Sequence, residues 1–219
     1  MNIALLGTPR LTSGAGAPRY LERKTAALLA WLALEGATAR WRLAGLLWPE
    51  SPEPTARNNL RQLLRRLKEL AGVPCVEGRE PLRLQEGLAL DVSRLRVAHE
   101  TGAREELASL TGELLEGLTY DDCSALEEWL HVWRLRLRRM RFEALDSRVR
   151  RLEQEGQLTA ALESARGLVE LEPTAEEAHQ HVIRLLHRLG DRVAALAAWR
   201  QCQELLRREL GVAPSEPTQ

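Results

Sequence analysis

The chain has 219 residues, enough for one large or two ordinary domains, and its 44% apolar content is that of a protein that buries a core. Lys and Arg number 31 and so do Asp and Glu, a balance that argues against a simple nucleic-acid coat protein. The balance conceals an asymmetry: residues 1–99 hold 15 basic against 9 acidic residues and residues 100–219 hold 16 against 22, so a basic half of net +6 precedes an acidic half of net −6.

Met1 to Leu6 is a short apolar run closed by Gly7, Thr8 and Pro9, and it reads as a strand. Leu11 to Pro18 is rich in turn residues and is expected to cap a small antiparallel sheet. Helical periodicity runs from Glu22 to about Leu34 and ends at Gly36, with Ala27, Leu28, Trp31 and Leu32 on one face. A second, short helix is expected over Arg40 to Leu47, stopped at Trp48-Pro49 by proline's missing N–H. Glu50 to Pro54 is a loop by composition. Thr55 then serves as the N-cap of a third helix that runs to about Leu70 and ends at Gly72. Strand candidates at Val73–Glu77 and Leu82–Gln85, joined by a turn over Gly78–Pro81, complete a strand, helix, helix, loop, helix, hairpin order. That is the order of a winged helix, in which the third helix enters the major groove and the hairpin is the wing.

Leu88 to Val92 leads into a region that is helical nearly throughout. Helices are expected at 93–101, 104–115, 123–154, 158–171, 175–189 and 192–210, and the Pro- and Ser-rich tail 212–219 is expected to fray. A repeat lies within this half. Gly156 and Gly190 are 34 residues apart, Ala160-Ala161-Leu162 recurs as Ala194-Ala195-Leu196, Ala165 maps to Trp199 and Leu168 to Cys202. That period, with small residues in the first helix, is the tetratricopeptide pattern. The expected fold is therefore mainly α: a winged helix-turn-helix with small β-sheets over residues 1–92, then an all-α, tetratricopeptide-like domain over 93–219.

The third helix carries the chemistry. At about 100° per residue, Ala56, Leu60, Leu63, Leu64, Leu67 and Leu70 form an apolar stripe. Asn58, Arg61, Gln62 and Arg65 lie opposite, flanked by Arg57, Asn59, Arg66 and Lys68. Arginine can donate twice to guanine, and Asn or Gln can pair with adenine. Flanking cations suit phosphates, which fix register without reading sequence. Considered alone, the helix is equally an ordinary amphipathic helix with a solvated Arg-rich face.

Other candidate features point away from catalysis. His179 and His181 are two apart and read as surface histidines rather than metal ligands. Asp121-Asp122 and Glu127-Glu128 read as charges at a helix N-terminus. The run Arg134–Arg141 interleaves with Leu135, Leu137 and Met140, as packing with snorkelling Arg stems would. The six tryptophans read as core anchors. Cys75, Cys123 and Cys202 lack metal or redox spacing, which fits a reducing compartment. No charged start with a long apolar run opens the chain and no stretch is long enough to span a bilayer, so the expected location is cytoplasmic, with no catalytic, cofactor or metal site.

The residues 23–34 (RKTAALLAWLAL), 43–49 (LAGLLWP) and 56–67 (ARNNLRQLLRRL) resemble the antibiotic-regulatory-protein type of bacterial activator, with Leu-Leu-Trp-Pro followed by Ala-Arg-Asn-Asn-Leu-Arg as the specific part. Ile3 to Gly7 is similar to that family's first strand. Residues 112–117 (GELLEG), Glu127-Glu128-Trp129 and 210–215 (LGVAPS) resemble the bacterial transcriptional activator domain that follows it. The resemblance covers nearly the whole chain. It implies a winged helix binding direct repeats upstream of promoters, and a helical domain that contacts RNA polymerase or assists dimer formation on DNA. It also implies that the loop Pro49, Glu50, Ser51 and Glu53 touches polymerase. Arg57, Asn58, Arg61, Gln62, Arg65, Arg66 and Lys68 are then the DNA-binding set, and an activator the expected role. Two departures stand out. The wing segment 76–81 carries two acids against one Arg, which argues against a minor-groove role. No Gly-x-x-x-x-Gly-Lys-Ser/Thr segment is present, so nucleotide sensing is not expected, and with no receiver domain ahead of the winged helix neither is phosphorylation control. The rival reading from residues alone is a protein-interaction adaptor whose helical repeat binds a peptide without specific DNA binding.

Overall fold

A computed structural model describes residues 1–13, 16–101, 103–215 and 218, with His99, Glu100 and Arg104 described by backbone only. By packing, the described chain forms two units, residues 1–101 with 110–137 and residues 102–109 with 138–219.

In the first unit β1 (Asn2–Ala4), β2 (Arg10–Thr12), β3 (Arg19–Tyr20) and β6 (Ala89–Leu90) form one sheet in the order β3-β2-β1-β6. Neighbours are antiparallel except for β1 and β6, which run parallel with Ile3 opposite Leu90. The turn-rich stretch 11–18 does connect two antiparallel strands, although Gly14 and Ala15 lie outside the described residues. β6 is not expected from sequence: two residues carry no period, and its pairing is with a strand more than eighty residues away. Beyond it, the Asp91 carboxylate accepts from the Leu5 and Leu6 amides at 2.9–3.0 Å and from Val92 at 2.8 Å. Burial nonetheless outweighs these bonds and raises the Asp91 pKa.

Three helices follow and pack on one another. α1 (Arg23–Glu35) is buried from Thr25 to Leu34, so it is the central helix, enclosed on all sides rather than along one stripe. α2 (Arg40–Leu47) ends at Trp48 as expected. α3 (Glu53–Ala71) begins two residues before the expected N-cap, with Pro54 in its first turn, where a missing N–H leaves no bond unmade. The hairpin β4 (Val76–Glu77) and β5 (Arg83–Leu84) pairs antiparallel across a turn containing a cis Glu80-Pro81 bond. α4 spans Asp91–Thr101.

The expected helix over 104–115 is corrected: α5 covers Arg104–Ser109 only. Residues 110–118 instead return to β1. Gly7 N–H donates to Glu113 O (2.8 Å), Leu115 N–H to Leu5 O (2.8 Å) and Glu116 N–H to Gly7 O (3.2 Å). Gly112 sits at φ +89°, against the backbone of Gly7. Arg134 fixes the far side, donating to the carbonyls of Leu114, Leu115 and Leu118.

α6 (Ser124–Gln154) continues from the first unit into the second. There α7 (Leu158–Leu171), α8 (Glu176–Arg188) and α9 (Arg192–Leu210) follow at nearly the expected bounds, with α8 packed on both α7 and α9. Leu145, Val149 and Leu152 of α6 join Ala161, Ala165, Leu168, Val182 and Leu185 in one core. The 34-residue offset survives in burial: Ala161 and Ala195 are both buried, as are Leu168 and Cys202. The tail, expected to fray, is docked where it is described. Ser215 N–H donates to Glu176 at 2.7 Å, the Thr218 hydroxyl also donates to Glu176, and Gln180 donates to Thr218 at 2.7 Å. Residues 216, 217 and 219 of that stretch lie outside the described residues.

The tryptophans divide. Trp31 is buried and stacks on Trp129 at 4.9 Å, but Trp41 is 61% exposed on α2, which corrects its reading as a core anchor. All three cysteines are free and buried. Among the described residues no helix is long and apolar enough to cross a membrane.

Candidate nucleic-acid interface

α3 is held by one side. Ala56, Leu60, Leu63 and Leu67 are buried, and the helix packs against α1 and α2. Leu64 and Leu70, expected on the same stripe, sit at its edges and are half-buried. The opposite side is solvent-facing: Arg57, Asn58, Arg61, Gln62, Arg65, Arg66 and Lys68 are all exposed, and only Asn59 is half-buried. The sequence-predicted set thus shares one accessible surface.

Its charges are partly engaged within the protein. Arg57 meets Glu53 at 2.6 Å, Arg65 meets Glu69 at 2.9 Å and Arg66 meets Glu22 at 3.7 Å. Arg61 donates to Asn58 at 2.5 Å. The first two pairs are i,i+4 pairs with more than half of each side chain in solvent, so each is worth about 0.3–0.5 kcal/mol and yields to a stronger partner. Glu53 enters because the helix starts earlier than the cap pattern indicated.

The wing's acids are placed where sequence could not put them. Glu77 faces Arg83 across the hairpin, with the pair at 2.8 Å. Glu80 Oε1 accepts from the backbone N–H of Arg40, the first residue of α2, at 2.8 Å. Arg40 Nε donates to Arg79 O at 2.6 Å, while Thr38 and Leu82 exchange backbone bonds of 2.8 and 2.9 Å. Arg79 itself is exposed. Between these parts lies a recess of about 710 Å³ lined by Arg40, Glu53, Arg57, Asn58, Arg61 and Glu80. Arg40 and Glu80 are the members of this surface that sequence reasoning did not select. Their signal is contact between positions forty apart, which no local pattern carries.

The loop named from the resemblance is accessible. Pro49, Glu50 and Glu53 are exposed and Ser51 is half-buried, its N–H donating to Trp48 O at 3.1 Å. Lys24 lies over the Trp48 ring at 5.1 Å.

The histidines are not on the surface as expected. His179 and His181 are buried, and His179 Nε2 lies 2.7 Å from Pro173 O. His181 Nε2 lies 2.7 Å from Asp146, and Arg184 donates to Nδ1 at 2.6 Å, so Nε2 carries the proton. Asp146, Glu177 and His181 converge closely enough to suggest a metal. Arg150, however, bridges Asp146 (2.9 Å) and Glu177 (2.8 Å), and the group is an ion-pair network. Of the acids near the start of α6, Asp122 pairs with Arg23 at 2.7 Å and Glu127 accepts from Tyr120 N–H at 2.6 Å. In the arginine run, Arg139 pairs with Glu143 and Arg136 covers Trp133.

Comparison with known proteins identifies the family and the fold. The model of the bacterial transcriptional activator domain matches residues 88–219. Among solved structures, Mycobacterium tuberculosis EmbR in complex with a low-affinity phosphopeptide is similar in fold, with a TM-score of 0.66 at 20% identity. The match covers 99% of this chain and 62% of the EmbR chain, so the chain spans less than two thirds of that protein. No curated protein sequence matches.

Proposed function

This chain belongs to the bacterial transcriptional activator domain family, and from that premise we propose that it is a sequence-specific, DNA-binding transcription activator with no catalytic role. Its domains are residues 1–92, which bind double-stranded DNA, and 93–219, which contact RNA polymerase or a second copy of the chain on adjacent promoter repeats. DNA as the target places it in the cytoplasm. Asn58, Arg61, Gln62 and Arg65 read base edges, while Arg57, Arg66 and Lys68 hold phosphates. The corner formed by the exposed Pro49, Glu50 and Glu53 and the half-buried Ser51 meets polymerase.

One observation carries the reading. The helix that a winged fold presents to DNA turns its arginine and asparagine side to solvent while four apolar residues anchor the other. Buried arginines there would have ended it.

The test is a duplex titration over a range of salt. Three phosphate-holding side chains per protomer give a slope of log K on log salt of about −2.7 or steeper, since each phosphate contact contributes about −0.9. Affinity that does not change between about 50 and about 200 mM salt refutes DNA binding and leaves the peptide-binding adaptor.

A further inference from the structure

The wing reads as acidic in sequence, yet Glu80 does not stand as a bare charge on it. Its carboxylate accepts from the first amide of α2, where the helix N-terminus favours an anion. The same turn is tied twice more, through Arg40 Nε to Arg79 O and through the Thr38–Leu82 backbone pair. Glu77 and Glu53 have cationic partners of their own in Arg83 and Arg57. What remains beside the N-terminal half of α3 is a recess lined by three arginines, Arg40, Arg57 and Arg61, together with Asn58 and the already engaged carboxylates Glu53 and Glu80.

We propose that this recess seats a backbone phosphate of the bound duplex, that Arg40 is a further phosphate contact, and that Glu80 is a positioning residue that latches the wing onto α2 and so sets Arg40 in place. The proposal rests on the DNA-binding reading above. It reverses the sign that sequence assigns to the wing: an acid 2.8 Å from a helix amide assembles the anion site instead of opposing it.

Two variants separate the possibilities, because glutamine keeps the acceptor and loses the charge whereas alanine loses both. Measured against one duplex across a salt series, Glu80→Ala weakens binding about fivefold, the loss expected for one helix cap, and makes the salt slope shallower by about 0.9, one phosphate contact. Glu80→Gln stays within about twofold of the parent chain, with the parent slope. If Glu80 only repels DNA, both variants bind more tightly and with a steeper slope, and the proposal is overturned. It is overturned equally if Glu80→Gln is as weak as Glu80→Ala, or if neither differs from the parent. Amide exchange in the DNA-free chain reads the latch by itself: the Arg40 amide exchanges faster in Glu80→Ala and not in Glu80→Gln. An unchanged Arg40 amide in Glu80→Ala removes the latch whatever DNA does. Absence of salt-dependent binding by the parent chain removes the phosphate seat together with the DNA-binding reading, and the exchange result still distinguishes that failure from failure of the latch.

Discussion

Substituting Gly112 by alanine tests whether residues 110–118 belong to the first unit's architecture. Gly112 has φ +89°, and a Cβ built on it would lie 2.5 Å from Gly7 N and 2.9 Å from Gly7 Cα. Gly117 provides the control. It has φ +76°, but a Cβ there meets nothing within 4 Å. Both variants incur the left-handed conformational cost of about 1–2 kcal/mol, offset by roughly 0.4–1 kcal/mol from the stiffer unfolded chain, so Gly117→Ala costs about 1 kcal/mol. At Gly112 the contact is with backbone that cannot rotate away. Relief requires residues 5–7 and 113–116 to separate, which breaks the Gly7–Glu113, Leu115–Leu5 and Glu116–Gly7 hydrogen bonds. At about 0.5–1.5 kcal/mol each, their loss brings Gly112→Ala to roughly 3–5 kcal/mol.

Urea unfolding followed by tryptophan fluorescence reports the right region, because Trp31, Trp41, Trp48, Trp129 and Trp133 lie in the first unit and only Trp199 in the second. Amide exchange at Gly7, Leu115 and Glu116 localises the damage. Equal midpoints for the two variants, within about 0.5 kcal/mol, would refute the close approach and with it this account of why 110–118 is not helical.

Three further outcomes are expected. Arg61→Ala or Arg65→Ala weakens binding to a preferred duplex by about 1–3 kcal/mol and relaxes base preference, whereas Arg66→Ala or Lys68→Ala weakens all duplexes alike and lowers the salt slope by about 0.9. Unchanged binding in both Arg61→Ala and Arg65→Ala at fixed salt refutes the assignment of α3. In the second unit Arg184 and Arg188 donate to Glu153 at 2.7–3.1 Å and hold its carboxyl below the usual glutamate range, the Arg184 bond first. A depressed folded pKa stabilises above the ordinary value and is lost as pH falls through the depressed one, so circular-dichroism melts of Glu153→Gln should lack that part of the acid limb; an equally steep limb contradicts it. Glu176 is held low by Ser215 and then Thr218. By the same sign, tail docking weakens only below the ordinary glutamate range, and Glu176→Ala exposes the tail to protease at neutral pH, a result absent if the tail is held by other contacts.

Much of the fold follows from local pattern. α1, α2, α7 and α9 fall within a residue of where apolar runs and stop signals put them, because each has a Gly or Pro at its end and α7 and α9 carry their own 3.6-residue period. The antibiotic-regulatory-protein resemblance is borne out by the family match over the second half and the fold match over nearly all of the chain. What local pattern missed is set by distant partners. Leu110, Leu114 and Leu115 have helical spacing, but Leu6 and Leu114 form a β-bridge and Leu115 takes φ 51°. The two residues of β6 become a strand only because β1 lies beside them. Ser215 and Thr218 look like tail composition until Glu176 is seen to collect their hydrogen bonds.

The interface shows the same division. Which side of α3 faces solvent is a matter of period and was legible. How its electrostatics resolve was not, because each acid has a different kind of partner. Glu53 and Glu69 lie against Arg57 and Arg65 in exposed pairs worth about a few tenths of a kcal/mol, weak enough to yield to a stronger partner. Glu77 is matched within the hairpin by Arg83. Glu80, unlike the other three, is bound to a backbone amide. A count of signs along the sequence treats these four acids as equal opponents of DNA. Their partners make two of them exchangeable, one internal to the wing and one a part of the scaffold that holds Arg40 beside Arg57 and Arg61.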